Sequence, residues 1–135
     1  MKMNKKEKVK YWVDIANYDF DTADVMLKSK RYLYVVFMCQ QAIEKIIKAI
    51  YIEQLDLEPP RSHNLYYILK KTNIIIDEET ITFLNLLSAH YIRNRYPDYK
   101  EKLSQKLNKQ KAKEFFNKTE EIFNWLKSQI ISVNN

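Results

Sequence analysis

The residues with most to offer chemically lie together in HYIRNRYPDY, His90 to Tyr99. Two guanidinium groups (Arg93, Arg95), three phenols (Tyr91, Tyr96, Tyr99) and the Asp98 carboxylate crowd a helix end that Pro97 breaks. Arginine's planar fork takes phosphate oxygens two at a time, and tyrosine can stack on a base or give up a proton. The same residues also have a purely structural use. On a helix, Arg95 falls on the side of Leu84 and Tyr91, from which it can pair with a buried carboxylate, whereas Arg93 points away and is kept for a ligand.

Other chemistries find little support. The 135 residues include no glycine, so neither a Walker loop nor a dinucleotide fingerprint can be built. With no HExxH, no CxxC and two histidines, metal ligation would fall to scattered carboxylates, and no metal or cofactor is expected. The one cysteine, Cys39, sits in an apolar run and reads as a buried structural thiol. No serine occupies a strained nucleophile turn. A net charge of +6 suits an anionic partner, but a chain rich in Lys, Ile and Asn acquires such a charge from composition alone.

The elements that must position these groups are helical. Sheets and hairpins usually need glycine in tight turns, a bundle does not, and only Pro59, Pro60 and Pro97 interrupt helices. The expected fold is all-α, an up-and-down bundle of four main helices plus one short helix. It forms a single domain over residues 5–131, with short tails at 1–4 and 132–135. The central helix is Arg31 to Ile52. Tyr32 to Cys39 is apolar in every direction around a helix, and from Gln40 polarity returns on one side through Gln40, Glu44 and Lys48. Its first half is therefore expected to be buried all round, by neighbours or by a second chain, and its second half to be half solvated.

The first helix spans about Lys5 to Lys28, with Trp12, Ile15, Ala16, Ala23 and Met26 on one face. Asp19 lies within that face, about 20° from Trp12. A carboxylate there needs a partner, because burying it alone costs several kcal/mol, and Arg95 is the partner expected. Ser62 is read as the N-cap of a short helix from His63 or Asn64 to about Lys71. His63 then occupies its first turn, where a lone histidine is more often a hydrogen-bonding structural residue than a ligand. Ile74 to Ile76 could extend but has no partner strand. Asp77 caps a helix running through Leu84, Leu87, Ser88 and Tyr91 to about Arg95. Lys100 to Lys113 is a basic segment of the kind that is most often simply solvated. A last helix, about Asn108 to Ile131, carries the seam Ala112, Phe115, Thr119, Ile122, Leu126 and Gln129, thickened by Phe116, Phe123 and Ile130.

No apolar run approaches the ~20 residues that span a bilayer. The basic N-terminus is followed by YWVDIANYDF, whose Asp14 and Asp19 do not suit a signal peptide, so a cytoplasmic location is expected.

Four stretches in this order resemble the HEPN family of small α-helical prokaryotic proteins: Trp12 with Ala16 and Asp19, QQAIEKIIKA at Gln40 to Ala49, PPRSHNL at Pro59 to Leu65, and RNRYPDY at Arg93 to Tyr99. The resemblance implies a homodimer, often partnered with a minimal nucleotidyltransferase, and nucleotide binding or metal-independent RNA cleavage in toxin–antitoxin or phage-defence settings. Cleavage in that family uses an arginine followed four to six residues later by a histidine. Here no histidine follows His90, so the general acid or base, worth ~10² to 10⁴ in rate, is missing. The expectation is a dimeric protein that binds a nucleotide or RNA phosphate through Arg93, Arg95, Tyr96 and Asp98, with Lys45, Lys48 and His63 as contributors. Two alternatives stay open. One is a metal-independent endoribonuclease of non-standard motif, using Arg93 with Tyr96 or Tyr99. The other is a structural partner of a nucleotidyltransferase, docking through the apolar start of the central helix.

Overall fold

The computed structural model describes residues 2–93 and 106–133, except the side chains of Ile92 and Arg93. Among the described residues there are five helices and no strand: α1 (Lys5–Lys28), α2 (Tyr32–Leu55), α3 (Leu65–Leu69), α4 (Glu78–Arg93) and α5 (Lys109–Ser128). Side-chain pairings fix the directions. Trp12 meets Lys48 and Asp19 meets Lys45, so α1 and α2 are antiparallel. Asn17 meets Lys127 and Phe20 meets Phe116, so α5 runs against α1. Glu79 meets Lys118 and Phe83 meets Phe115, so α4 runs against α5. This is the up-and-down bundle that the apolar pattern requires.

Local chemistry sets the helix ends. Asn4 caps α1 by accepting from the Glu7 N–H at 2.8 Å while the Glu7 carboxylate accepts from the Asn4 N–H, a complete capping box. Asp77 accepts from the Thr80 N–H at 2.8 Å at the start of α4, and Asn108 from the Lys111 N–H at 2.9 Å at the start of α5. A chain without glycine must place other residues where the backbone turns left-handed. Lys30, in the α1–α2 turn, has φ 65°, and Asp56, capping α2, has φ 52°.

α2 is central, since α1, α3, α4 and α5 all pack on it. Its burial runs opposite to the expectation drawn from apolarity. In the apolar first half Tyr34 is 43% exposed and Tyr32, Leu33, Phe37 and Met38 are only partly covered. The second half, polar edge included, is the more buried, with Gln40 at 0% and Glu44 at 2%. The polar edge can be enclosed because its groups bond to one another, whereas a single chain covers the apolar start only in part.

The short helix is also corrected. Its cap is Asn64, which accepts from the Tyr67 N–H at 3.1 Å; Ser62 instead accepts from the Asn64 N–H at 3.1 Å, and His63 precedes the helix. Ile74 to Ile76 forms neither helix nor strand, Ile74 and Ile76 packing on the core while Ile75 is 88% exposed. On α5 the buried stripe is Ala112, Phe116, Thr119, Ile122, Phe123 and Leu126; Phe115 and Gln129 are only half-buried. The rotation brings Phe116 and Phe123 onto Phe20, with ring centroids 5.0 and 4.9 Å away.

Candidate functional site

Among the described residues, the polar edge of α2 is where ionisable groups gather inside the bundle. Helical spacing places Gln40, Glu44 and Lys48 one above another with Gln41 and Lys45 beside them. Lys45 Nζ donates to Asp19 Oδ2 on α1 at 2.9 Å and to Gln41 Oε1 at 3.0 Å. Gln41 Nε2 donates to Gln40 Oε1 at 2.7 Å, and Gln40 Nε2 to Glu44 Oε1 at 3.0 Å. Lys48 Nζ donates to Glu44 Oε2 at 3.1 Å and stands 5.5 Å from the centre of the Trp12 ring. The network ends at His63, whose Nδ1 lies 2.8 Å from Glu44 Oε1.

His63 reaches this point because the loop carrying it is pinned on both sides. Pro59 and Pro60 stiffen it, the Ser62 N–H donates to the Pro60 carbonyl at 2.9 Å, and the Leu65 N–H donates to the Ser88 hydroxyl on α4 at 3.0 Å. The His63 carbonyl also accepts from Gln40 Nε2 at 3.4 Å. On its other side the imidazole lies against Tyr91, with ring centroids 4.6 Å apart, and Tyr91 stacks on Phe37 at 5.3 Å. Tyr91 is two residues before Arg93, so the loop, α2 and the end of α4 meet here.

Glu44 is the electrostatic centre. Burial pushes its carboxyl up, but hydrogen bonds from His63 and Gln40 and the charge and bond of Lys48 more than reverse this and hold it below the usual glutamate range. It therefore stays a carboxylate inside the protein. Cys39, one residue before Gln40, shows what burial does without such help: its thiol is pushed up to about 12, against a smaller opposing contact with Thr119.

Of the residues expected from sequence to form the site, Lys45, Lys48 and His63 are brought together. The two lysines are spent on carboxylates, with side chains only 17% and 14% exposed, whereas the His63 side chain is 40% exposed. Arg93 closes α4. Arg95, Tyr96 and Asp98 lie outside the described residues, as does the Arg95 half of the pair expected for Asp19. Asp19 does have a cationic partner, Lys45. Gln40, Gln41 and Glu44 are members that sequence reasoning leaves out of the site, and Tyr91, named there only as one of three phenols, is the one that reaches His63. The available signal is two Gln and a Glu at helical spacing on an otherwise apolar helix. Among the described residues no three His, Cys, Asp or Glu side chains converge to hold a metal ion, and no helix is long and apolar enough to cross a membrane.

Residues 9–129 match the model of the HEPN domain. The chain belongs to the HEPN family. Its fold is shared with TT1696 from Thermus thermophilus, whose crystal structure superposes with a TM-score of 0.75 over 90% of this chain and 97% of that one, at 19% identity. No curated protein matches the sequence. Within this HEPN domain, three of the four stretches that carry the resemblance in sequence supply the parts of the network. Asp19 comes from the first, Gln40 to Lys48 from the second and His63 from the third.

Proposed function

We propose that this HEPN protein binds a nucleotide or an RNA phosphate where the His63 loop meets the end of α4, as a homodimer in a toxin–antitoxin or minimal-nucleotidyltransferase-associated system. The observation that carries this reading is the buried Glu44 carboxylate, which bonds a half-exposed imidazole beside Tyr91, two residues from Arg93. Arg93, Arg95, Tyr96 and Asp98 supply the phosphate and base contacts from the chain at and beyond the helix end. Lys45 and Lys48 act by pairing with Asp19 and Glu44, so that the site keeps its shape. Calorimetric titration with nucleotides and a short RNA tests the site: Arg93→Ala and His63→Ala each weaken binding about tenfold, the scale of one charge-assisted hydrogen bond. Unchanged affinity in Arg93→Ala refutes the placement. The dimer uses the partly covered start of α2. Tyr34→Glu converts the dimer to monomer in light scattering, and a wild-type protein that is monomeric at high concentration removes this part of the proposal.

The Glu44–His63 contact also favours a second reading, a metal-independent endoribonuclease. A carboxylate bonded to one ring nitrogen fixes the imidazole's orientation, which suits the other nitrogen to proton transfer. Cleavage of a labelled RNA in excess chelator, lost in both His63→Ala and Arg93→Ala, supports it. An inert wild-type protein that still binds RNA leaves only the first reading.

A further inference from the structure

Gln40 is fully buried on α2, and its amide bonds in three directions. Nε2 donates to Glu44 Oε1 at 3.0 Å and to the His63 carbonyl at 3.4 Å, while Oε1 accepts from Gln41 Nε2 at 2.7 Å. The two ends of the amide are not interchangeable. A backbone carbonyl can only accept, so the nitrogen has to face His63. Glu44 Oε1 lies in turn 2.8 Å from His63 Nδ1. The three residues therefore close a ring of hydrogen bonds that leaves His63 through its backbone carbonyl and returns to it through its imidazole. One buried amide stands at the joint of that ring, while Lys48 takes the other carboxylate oxygen, Oε2, at 3.1 Å.

The same ring of bonds settles which imidazole nitrogen carries the hydrogen. Glu44 accepts from an amide on one oxygen and from an ammonium on the other, and a carboxylate surrounded by donors stays ionised and can only accept. Nδ1 is therefore the donor to Oε1, and in the neutral ring Nε2 holds the lone pair. In free neutral histidine the other tautomer predominates, so the protein reverses the intrinsic preference. We propose that Gln40 is a positioning residue for the His63 site: without touching a ligand, its amide holds the Glu44 carboxylate and the His63 carbonyl in register, so that the imidazole is kept as the Nδ1–H tautomer. Its role in binding rests on the nucleotide reading above. The state of the ring can be measured without any ligand.

Long-range ¹H–¹⁵N correlation spectra of the full, ¹⁵N-labelled chain, recorded at a pH where the ring is neutral, read the tautomer directly. Only His63 and His90 contribute, and His63→Ala identifies the His63 signals by their loss. The wild type is expected to carry the His63 hydrogen on Nδ1. Gln40→Met keeps the side-chain length and removes both donors; it is expected to give a mixture of tautomers at His63, to leave the His90 pattern unchanged and to weaken nucleotide binding about fivefold in calorimetry. Glu44→Gln, whose amide can donate to Nδ1, is expected to shift the ring toward the Nε2–H tautomer, and it tests the same ring of bonds if Gln40→Met does not fold. The proposal is overturned by a wild-type ring with its hydrogen on Nε2, by a Glu44→Gln ring that keeps the wild-type pattern, or by a Gln40→Met protein that only melts earlier while its His63 spectrum or its nucleotide affinity stays that of the wild type. A wild type that binds no nucleotide refutes the reading above instead, and the ring spectra still decide the positioning.

Discussion

Glu44 Oε1 and His63 Nδ1 are 2.8 Å apart, and this contact joins the loop after α2 to the middle of α2 through a carboxylate whose side chain is 3% exposed. Gln40 and Lys48 bond the same carboxylate. Removing a buried charge from such a cluster strands its partners. Glu44→Ala is therefore expected to destabilise the protein by about 3 kcal/mol or more, and Glu44→Gln by less, in urea unfolding.

The same carboxylate sets an acid limit. Because the folded state holds Glu44 below the usual glutamate range, its contribution to stability is complete above the unfolded value and is lost as pH falls through the depressed folded value. Wild-type stability should drop across this acidic window. Glu44→Gln, which cannot titrate, should lose less over the same interval; equal slopes in the two proteins would remove Glu44 as the cause.

Asp19 and Lys45 link α1 to α2 at 2.9 Å with both side chains largely buried. A double-mutant cycle with Asp19→Asn and Lys45→Met should give a coupling of about 1–2 kcal/mol. A parallel cycle between Asp19 and Arg95 measures whether the carboxylate serves a second cation.

Cys39 is fully buried and its thiol is pushed up to about 12. It should not react with a chromogenic aromatic disulfide at neutral pH until denaturant is added. Rapid labelling of the native protein would contradict the burial.

Lys30 adopts φ 65° in the α1–α2 turn. Glycine takes this conformation without the clash that a Cβ creates, so Lys30→Gly should stabilise the protein by about 0.5–1 kcal/mol, or roughly 2–5 °C in Tm. Asp56→Gly should gain less, since aspartate tolerates the left-handed region better than lysine does.

The helices were legible in the sequence because periodicity and capping are local. The Asp77 cap, the start of the last helix near Asn108 and the run from Lys5 to Lys28 needed no tertiary information. The burial of α2 was not legible in the same way. Apolarity says which side chains avoid water but not whether one chain supplies the cover, and Tyr34 stays 43% exposed. Gln40 and Glu44 misled in the opposite sense. A polar edge reads as solvated unless its hydrogen-bond partners are known, and the decisive partner, His63, comes from 19 residues beyond Glu44. Asp19 needed a partner by charge alone, yet which cation lay within reach depended on the α1–α2 register.

The placement of Lys48 between Glu44 and the face of Trp12 ties the indole to the carboxylate network that ends at His63. Indole emission depends on the charge held over the ring, and that charge is anchored by the carboxylate that also holds His63. An event that pulls His63 away from Glu44 is expected to change the pull on Lys48 and with it Trp12 emission, which fluorescence checks. Trp125, 41% exposed on α5, contributes a constant background that a Trp125→Phe variant removes. The nucleotide binding proposed above should then be testable through Trp12 emission without attaching a label.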